Sequence, residues 1–293
     1  ENSYFCSIME FRTIVNVSSL GFEIAPFERM LFVGSCFADG IGRHFQAEQF
    51  AAKVNPFGVM YNPACVLHTI NKVVDGPEQF CPQTVFVTLG TNHVYILNAT
   101  GEIVDNCQKR PQSLFTERCL SVDECVDYLL QCMSALSKVN PTCRVVFTVS
   151  PIRYRKYGYH ESQLSKATLL LAVEEAIRKG KGRFPQMTMA YFPAYEIVND
   201  ELRDYRFYKE DMLHPSEQAV NYIWERLVAV CFSERAKCFL KDWAPVKAAL
   251  SHRPFHPEAP AYKAFQAKTQ AQIEKLGKSY PEHDFSNFTN ITL

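Results

Sequence analysis

The chain has no apolar run approaching the ~20 residues that a bilayer span requires, and it shows no internal repeat or low-complexity tract. It also lacks an excess of charge of either sign. Its 31 Lys and Arg are balanced by 31 Asp and Glu, with no basic block. Neither nucleic acid nor an anionic membrane surface is therefore an expected partner. Eleven cysteines are present, but none stands in C-x-x-C spacing. Zinc sites need paired ligands and disulfide frameworks are denser in shorter chains, so reduced thiols, no metal and a cytoplasmic setting are expected. Residues 1–8 precede Met9, include Glu1 and hold no apolar core. They do not make a signal peptide and read as a leader or upstream extension.

What is present is ordinary globular material, 47% hydrophobic and 21% charged over 293 residues, enough for one large core or two modest ones. Apolar runs at Met30–Val33, Thr84–Leu89, Arg144–Val149 and Met187–Phe192 read as strands, with a short edge element at Lys53-Val54. Between them, helical patterns cover 38–52, 63–74, 121–139 and 162–179, the third opening on the capping box Ser121-x-x-Glu124. Residues 93–103 read as a hairpin, and 154–160, basic and aromatic, as a mobile loop. This alternation predicts a three-layer α/β/α sandwich with a mainly parallel, flavodoxin-like sheet. The expected division is a domain over 9–250, begun by an arm over 9–28, and a C-terminal helical appendage over 251–293. Its helix is placed at 261–276 and a poorly ordered tail at 280–293.

Two stretches carry chemistry. Arg29-Met-Leu-Phe-Val-Gly-Ser-Cys-Phe-Ala-Asp39 is a buried strand that breaks at Gly34-Ser35 into a helix. Such a junction lies at the carboxyl edge of a parallel sheet, where open α/β folds bind ligands and where a helix N-terminus favours developing negative charge. Ser35 is a candidate nucleophile there or a simple helix cap. Cys36 shares the helix N-terminus, where thiol pKa falls. Strand geometry sends alternate residues to opposite faces, so one of the pair faces the site. Far downstream, Asp211-Met-Leu-His-Pro215 puts a carboxylate and an imidazole on one loop ahead of a helix, as a base and its orienting partner require. Pro215 suits the first helical position.

Together these stretches resemble the GSCFA family, a branch of the SGNH (GDSL-like) hydrolases. Gly34-Ser-Cys-Phe-Ala38 spells the family motif. Asn55-Pro-Phe-Gly-Val-Met-Tyr-Asn-Pro63, Leu89-Gly-Thr91, Thr148-Val-Ser-Pro-Ile-Arg153, Gln163-Leu-Ser-Lys166, Tyr191-Phe-Pro-Ala-Tyr-Glu196 and the run from Asp200 to Tyr208 look like further family blocks. The resemblance implies a serine-dependent esterase acting on an O-acylated, O-acetylated and carbohydrate-like substrate, without a cofactor. Its catalytic residues would be Ser35, His214 and Asp211. Its oxyanion hole would be the Ser35 N–H, the Gly58 N–H and the Asn92 side chain, although His93 replaces the usual aspartate and Asn92 reads equally as a turn residue. Arg153, His160 and Gln163 are candidate substrate-binding residues, while Arg203, Asp204 and Arg206 read as an ion-pair network. An O-acyltransferase using the same residues and a non-catalytic binding protein are the alternatives. A segment that relatives carry between Pro63 and Thr84 is missing, and the chain passes directly through Gly76-Pro77 to the strand.

Overall fold

The computed structural model describes residues 12–76, 80–253, 255–256 and 258–289. The leader expected over 1–8, the first residues of the arm and the end of the tail lie outside the described residues. In chain order, β1 (Arg29–Gly34), α1 (Cys36–Ala47), β2 (Ala51–Val54), α2 (Pro63–Val74) and β3 (Thr84–Leu89) open the fold. Next come β4 (His93–Leu97), β5 (Ile103–Val104), β6 (Phe115–Cys119), α3 (Val122–Val139), β7 (Arg144–Val149), α4 (Tyr159–Arg183) and β8 (Thr188–Tyr191). A short α5 (Ala194–Glu196) precedes α6 (Glu217–Cys231), α7 (Glu234–Leu250), α8 (Pro260–Ser279) and α9 (Ser286–Thr289).

β2-β1-β3-β7-β8 form one five-stranded sheet in that order, all parallel. Counting only these strands, the order is 2-1-3-4-5, the doubly wound flavodoxin arrangement with its switch point beside the first strand. The side chains of β1 show why both faces are covered. Leu31 and Val33 pack into the core formed with α2, α3 and α4. Met30 and Phe32 pack on the opposite side, with Phe37, Phe45, Ile223 and Leu227 of α1 and α6. A strand buried on both faces reads as a continuous apolar run, and β1 does.

Several boundaries depart from expectation for physical reasons. α1 stops at Ala47 because Gln49 takes φ +64° and turns Phe50 back; its ring then packs 5.1 Å from that of Phe45. α4 begins earlier and runs past Gly180, which is no terminator. A Cβ at 180 would lie 2.5 Å from Met189 Sδ and 2.8 Å from Met133 Sδ, so the glycine lets the helix approach the sheet. Pro215 sits just outside α6, whose cap is Ser216. The expected hairpin is the core of a three-stranded antiparallel sheet, β5-β4-β6. Lys156 of the 154–160 loop reaches Tyr95 and Glu117 of this sheet as well as its own neighbour Tyr157. The tail is packed as far as α9: Tyr280 and Phe285 join Phe239 and Trp243 in a third cluster. Among the described residues, no helix is long and apolar enough to cross a membrane, and the ten cysteines are free.

Candidate active site

The β1–α1 turn is built around Gly34. Its φ is +142°, and a Cβ there would fall 2.0 Å from the Thr88 carbonyl oxygen on β3, so no other residue fits. Asn55 clamps the turn: its Oδ1 accepts the Gly34 N–H at 2.9 Å while its Nδ2 donates to Asp39 at 2.7 Å. Ser35 follows as the cap of α1. Its N–H donates to Thr88 O at 3.0 Å. Its Oγ accepts the Phe37 N–H at 3.3 Å and lies 3.4 Å from Thr88 Oγ1. The residue is 1% exposed. Cys36, the first residue of α1, is half-buried instead, and its Sγ lies 3.8 Å from the Tyr61 hydroxyl.

The Asp211–His214 loop closes on itself. Asp211 Oδ1 accepts the Leu213 and His214 N–H groups at 2.8 and 3.0 Å, and Oδ2 meets His214 Nδ1 at 2.6 Å. Those two backbone donors, and then the imidazole, hold the Asp211 carboxyl far below the usual carboxylate range. A carboxylate so placed accepts the hydrogen bond from Nδ1–H and leaves Nε2 as the acceptor. Arg153, in the segment after β7, steadies the loop, its N–H donating to Leu213 O at 3.0 Å and its guanidinium to Met212 O at 3.1 Å.

Cys36, Asp211 and His214 line one cavity of about 770 Å³, whose wall also carries Asp39, Arg43, His44, Lys209 and Glu217. Ser35 is not part of that wall. His44 is two helical turns beyond Cys36, ~12 Å along the axis, and its ring stacks on Trp224 at 5.1 Å. Burial, followed by Lys247, keeps its pKa below the usual histidine value. It is thus too distant to serve Cys36 as base.

The remaining expected residues fall elsewhere. The Gly58 N–H closes a turn onto Asn55 O at 2.8 Å. Asn92 is 5% exposed and donates its Nδ2 to Leu120 O at 2.7 Å, which anchors the start of α3. Arg153 and Gln163 share a separate cleft of about 320 Å³ with Arg203 and Tyr208, and His160 is not among its lining residues. His160 is exposed in the first turn of α4. In the expected ion-pair network, Asp204 pairs with Arg206 at 3.3 Å, while Arg203 ends the preceding helical turn at φ +30°. Lys166 does not face a cleft: it is 2% exposed, and its Nζ donates to Gly90 O and Ser150 O at 2.6 and 2.8 Å. Sequence reading missed two residues, Asn55 and Tyr61. Both lie in the family block after β2, which was the available signal.

An open parallel sandwich with a thiol, an imidazole and a carboxylate at its strand ends belongs to the class of α/β folds that hold their sites at the switch point. The profile of the GSCFA family matches residues 29–81 and 78–227, and that of the GSCFA domain protein C-terminal domain matches 243–290. The chain belongs to the GSCFA family. The match divides at 78–81, next to the place where the expected segment is missing. No curated protein sequence matches the chain. Among solved structures it is similar to a carbohydrate esterase family 3 protein from Talaromyces cellulolyticus, with 10% identity, 68% of this chain and 93% of that one covered, and a TM-score of 0.40. It is similar also to an acetyl esterase mutant with acetate ion, with 12% identity, 65% and 70% covered, and a TM-score of 0.37. A third is a putative platelet activating factor from Streptococcus pneumonia, with 14% identity, 70% and 85% covered, and a TM-score of 0.41.

Proposed function

We propose that this protein is an ester hydrolase that works through an acyl-enzyme on Ser35, with His214 as base and Asp211 as the partner that orients its ring. One observation supports the reading: the hydrogen-bonded Asp211–His214 pair lines a cavity with Cys36 and Phe37, the first turn of the helix that Ser35 caps. Cys36, the next residue, is the rival nucleophile.

The Ser35 hydroxyl gives its proton to His214 Nε2, and Oγ attacks the acyl carbonyl as the carbonyl π pair moves onto oxygen. Collapse breaks the bond to the alcohol, which leaves with the proton from the imidazolium. A water then gives its proton to His214 and attacks the ester, and collapse releases the acid as the imidazolium returns its proton to Ser35 Oγ. The dipole of α1 favours the negative charge that develops at its N-terminus. The substrate we assign is a small O-acylated molecule or glycan ester, and short acyl groups suit an open cleft. Transfer of the acyl group to a second alcohol would use the same residues with that alcohol in place of water.

Turnover of 4-nitrophenyl acetate by single variants tests this. Ser35→Ala and His214→Ala are each expected to lose at least about 100-fold, while Cys36→Ala keeps turning over. Turnover that survives in Ser35→Ala and dies in Cys36→Ala would move the nucleophile to the cysteine. No turnover of any acyl donor by the unaltered chain would favour a binding protein on the same fold.

A further inference from the structure

The loop between β5 and β6 lines a second cavity, of about 410 Å³, that shares no lining residue with the cavity of Asp211 and His214. That volume is within the ~300–1,000 Å³ of small-molecule sites. Its walls are largely aromatic, with Tyr61, Tyr95, Phe115 and Tyr154. His93 adds an imidazole that stacks on Tyr157 at 4.0 Å. Such faces receive a flat ring.

Charge defines the other half of the ligand. The lining carries the carboxylates of Asp105 and Glu117 and the cations of Lys109 and Arg110. Both carboxylates are already paired by residues outside the lining. Asp105 meets His68 at 2.8 Å and Lys72 at 2.9 Å, and Glu117 meets Lys156 at 3.0 Å. Lys109 and Arg110 have no carboxylate partner among the described residues, so the surplus charge of the cavity is positive. Arg110 is nonetheless held, its guanidinium carbon 5.0 Å from the centre of the Phe115 ring, an arrangement that leaves its planar N–H fork for an anion. The backbone that presents the pair is fixed as well. Gln108 and Lys109 take left-handed φ of +50° and +58°, uncommon for residues with a side chain. Asn106 Oδ1 accepts the Gln108 N–H and Cys107 O accepts the Arg110 N–H, each at 2.9 Å. Backbone held in this way clusters at ligand clamps.

We infer that this cavity binds a small anion built on a flat ring, with the ring against the tyrosine and phenylalanine faces and a carboxylate or phosphate on Lys109 and Arg110. The site is separate from the ester chemistry and stands whether or not Ser35 is the nucleophile. A neutral ring lacks the charge-assisted hydrogen bonds, and a bare anion lacks the stacking.

Calorimetric titration of the full chain with benzoate, phenyl phosphate, phenol and inorganic phosphate tests this. At least one ring anion is expected to saturate a single site, with phenol and inorganic phosphate each at least about 10-fold weaker. The tighter of benzoate and phenyl phosphate identifies the acidic group that the cations take. Lys109→Ala/Arg110→Ala should weaken the ring anion at least about 10-fold. Both side chains are exposed, so this variant should keep the urea midpoint of the unaltered chain. His214→Ala should bind the ring anion as the unaltered chain does. Saturation by neither ring anion, phenol binding as tightly as they do, or equal affinity in Lys109→Ala/Arg110→Ala would overturn the inference. Binding lost in His214→Ala would place the probe in the other cavity and overturn it too.

Discussion

Gly34 leaves the extended conformation at φ +142° to pass beneath the Thr88 carbonyl, and the side chains that follow no longer obey the alternation of β1. Strand parity predicts that one of Ser35 and Cys36 faces the cleft, but a positive φ between strand and helix breaks the count. Parity alone therefore could not say which, and the motif Gly34-Ser-Cys-Phe-Ala38 is what pointed to Ser35. The carboxylate–imidazole pair was legible, because Asp211 and His214 lie three apart on one loop and need no long-range geometry to meet. Asn92 was not, because its amide is committed to Leu120 O, a partner 28 residues away. At Ser35 one substitution is predicted to have two effects. Ser35→Ala loses the cap on the Phe37 N–H and costs about 1 kcal/mol of stability, read by urea denaturation, and it also loses acylation. Acylation that persists in the folded variant would contradict this.

The elements that were read correctly are those with strong local signals. α2 has its cap at Asn62 and proline in its first turn, α3 has a complete capping box, and the central strands are unbroken apolar runs. β6 was not visible, because Phe-Thr-Glu-Arg-Cys is mostly exposed and pairs with β4 across a loop. The extent of α4 was misjudged because Gly180 serves close packing rather than an end. That helix also carries Lys166 to the strand ends, and burial draws the ammonium down to about 7 from its ordinary 10.5. Between those values the unfolded chain binds a proton that the folded chain does not, so this group makes stability rise with pH from about 7 upward. Below about 7 both states are protonated and its unfavourable contribution is present in full. Urea midpoints at pH about 6 and about 9 should therefore shift upward more in the unaltered chain than in Lys166→Met. Equal shifts would show that Lys166 does not titrate in this window.

At the scale of the whole molecule, the C-terminal helices are joined to the sandwich through specific contacts. Trp243 of α7 is 1% exposed and donates its indole N–H to Ala47 O at the end of α1, 2.9 Å away. Lys247 meets Glu48 beside it. Phe27, from the segment before β1, stacks on His283 at 4.3 Å and packs against Phe239. The tail looked poorly ordered in sequence because its apolar residues, Tyr280, Phe285 and Phe288, are spaced by polar ones. Their partners lie on α7 and before β1, so no local periodicity reveals them. Trp243→Ala should cost about 3–5 kcal/mol as an unfilled buried site. With Trp224→Phe as background, Trp243 fluorescence and far-UV circular dichroism should report one shared unfolding transition. Two separated transitions would show that the C-terminal layer unfolds on its own.

The location of an acyl adduct tests the proposed role of Ser35 most directly. The unaltered chain would be treated briefly with 4-nitrophenyl acetate, quenched in acid, digested and mapped by mass spectrometry. The account predicts one dominant acetyl ester on Ser35, absent in His214→Ala. An acetyl thioester on Cys36, or labelling spread over the exposed cysteines with Ser35 unmodified, would contradict it.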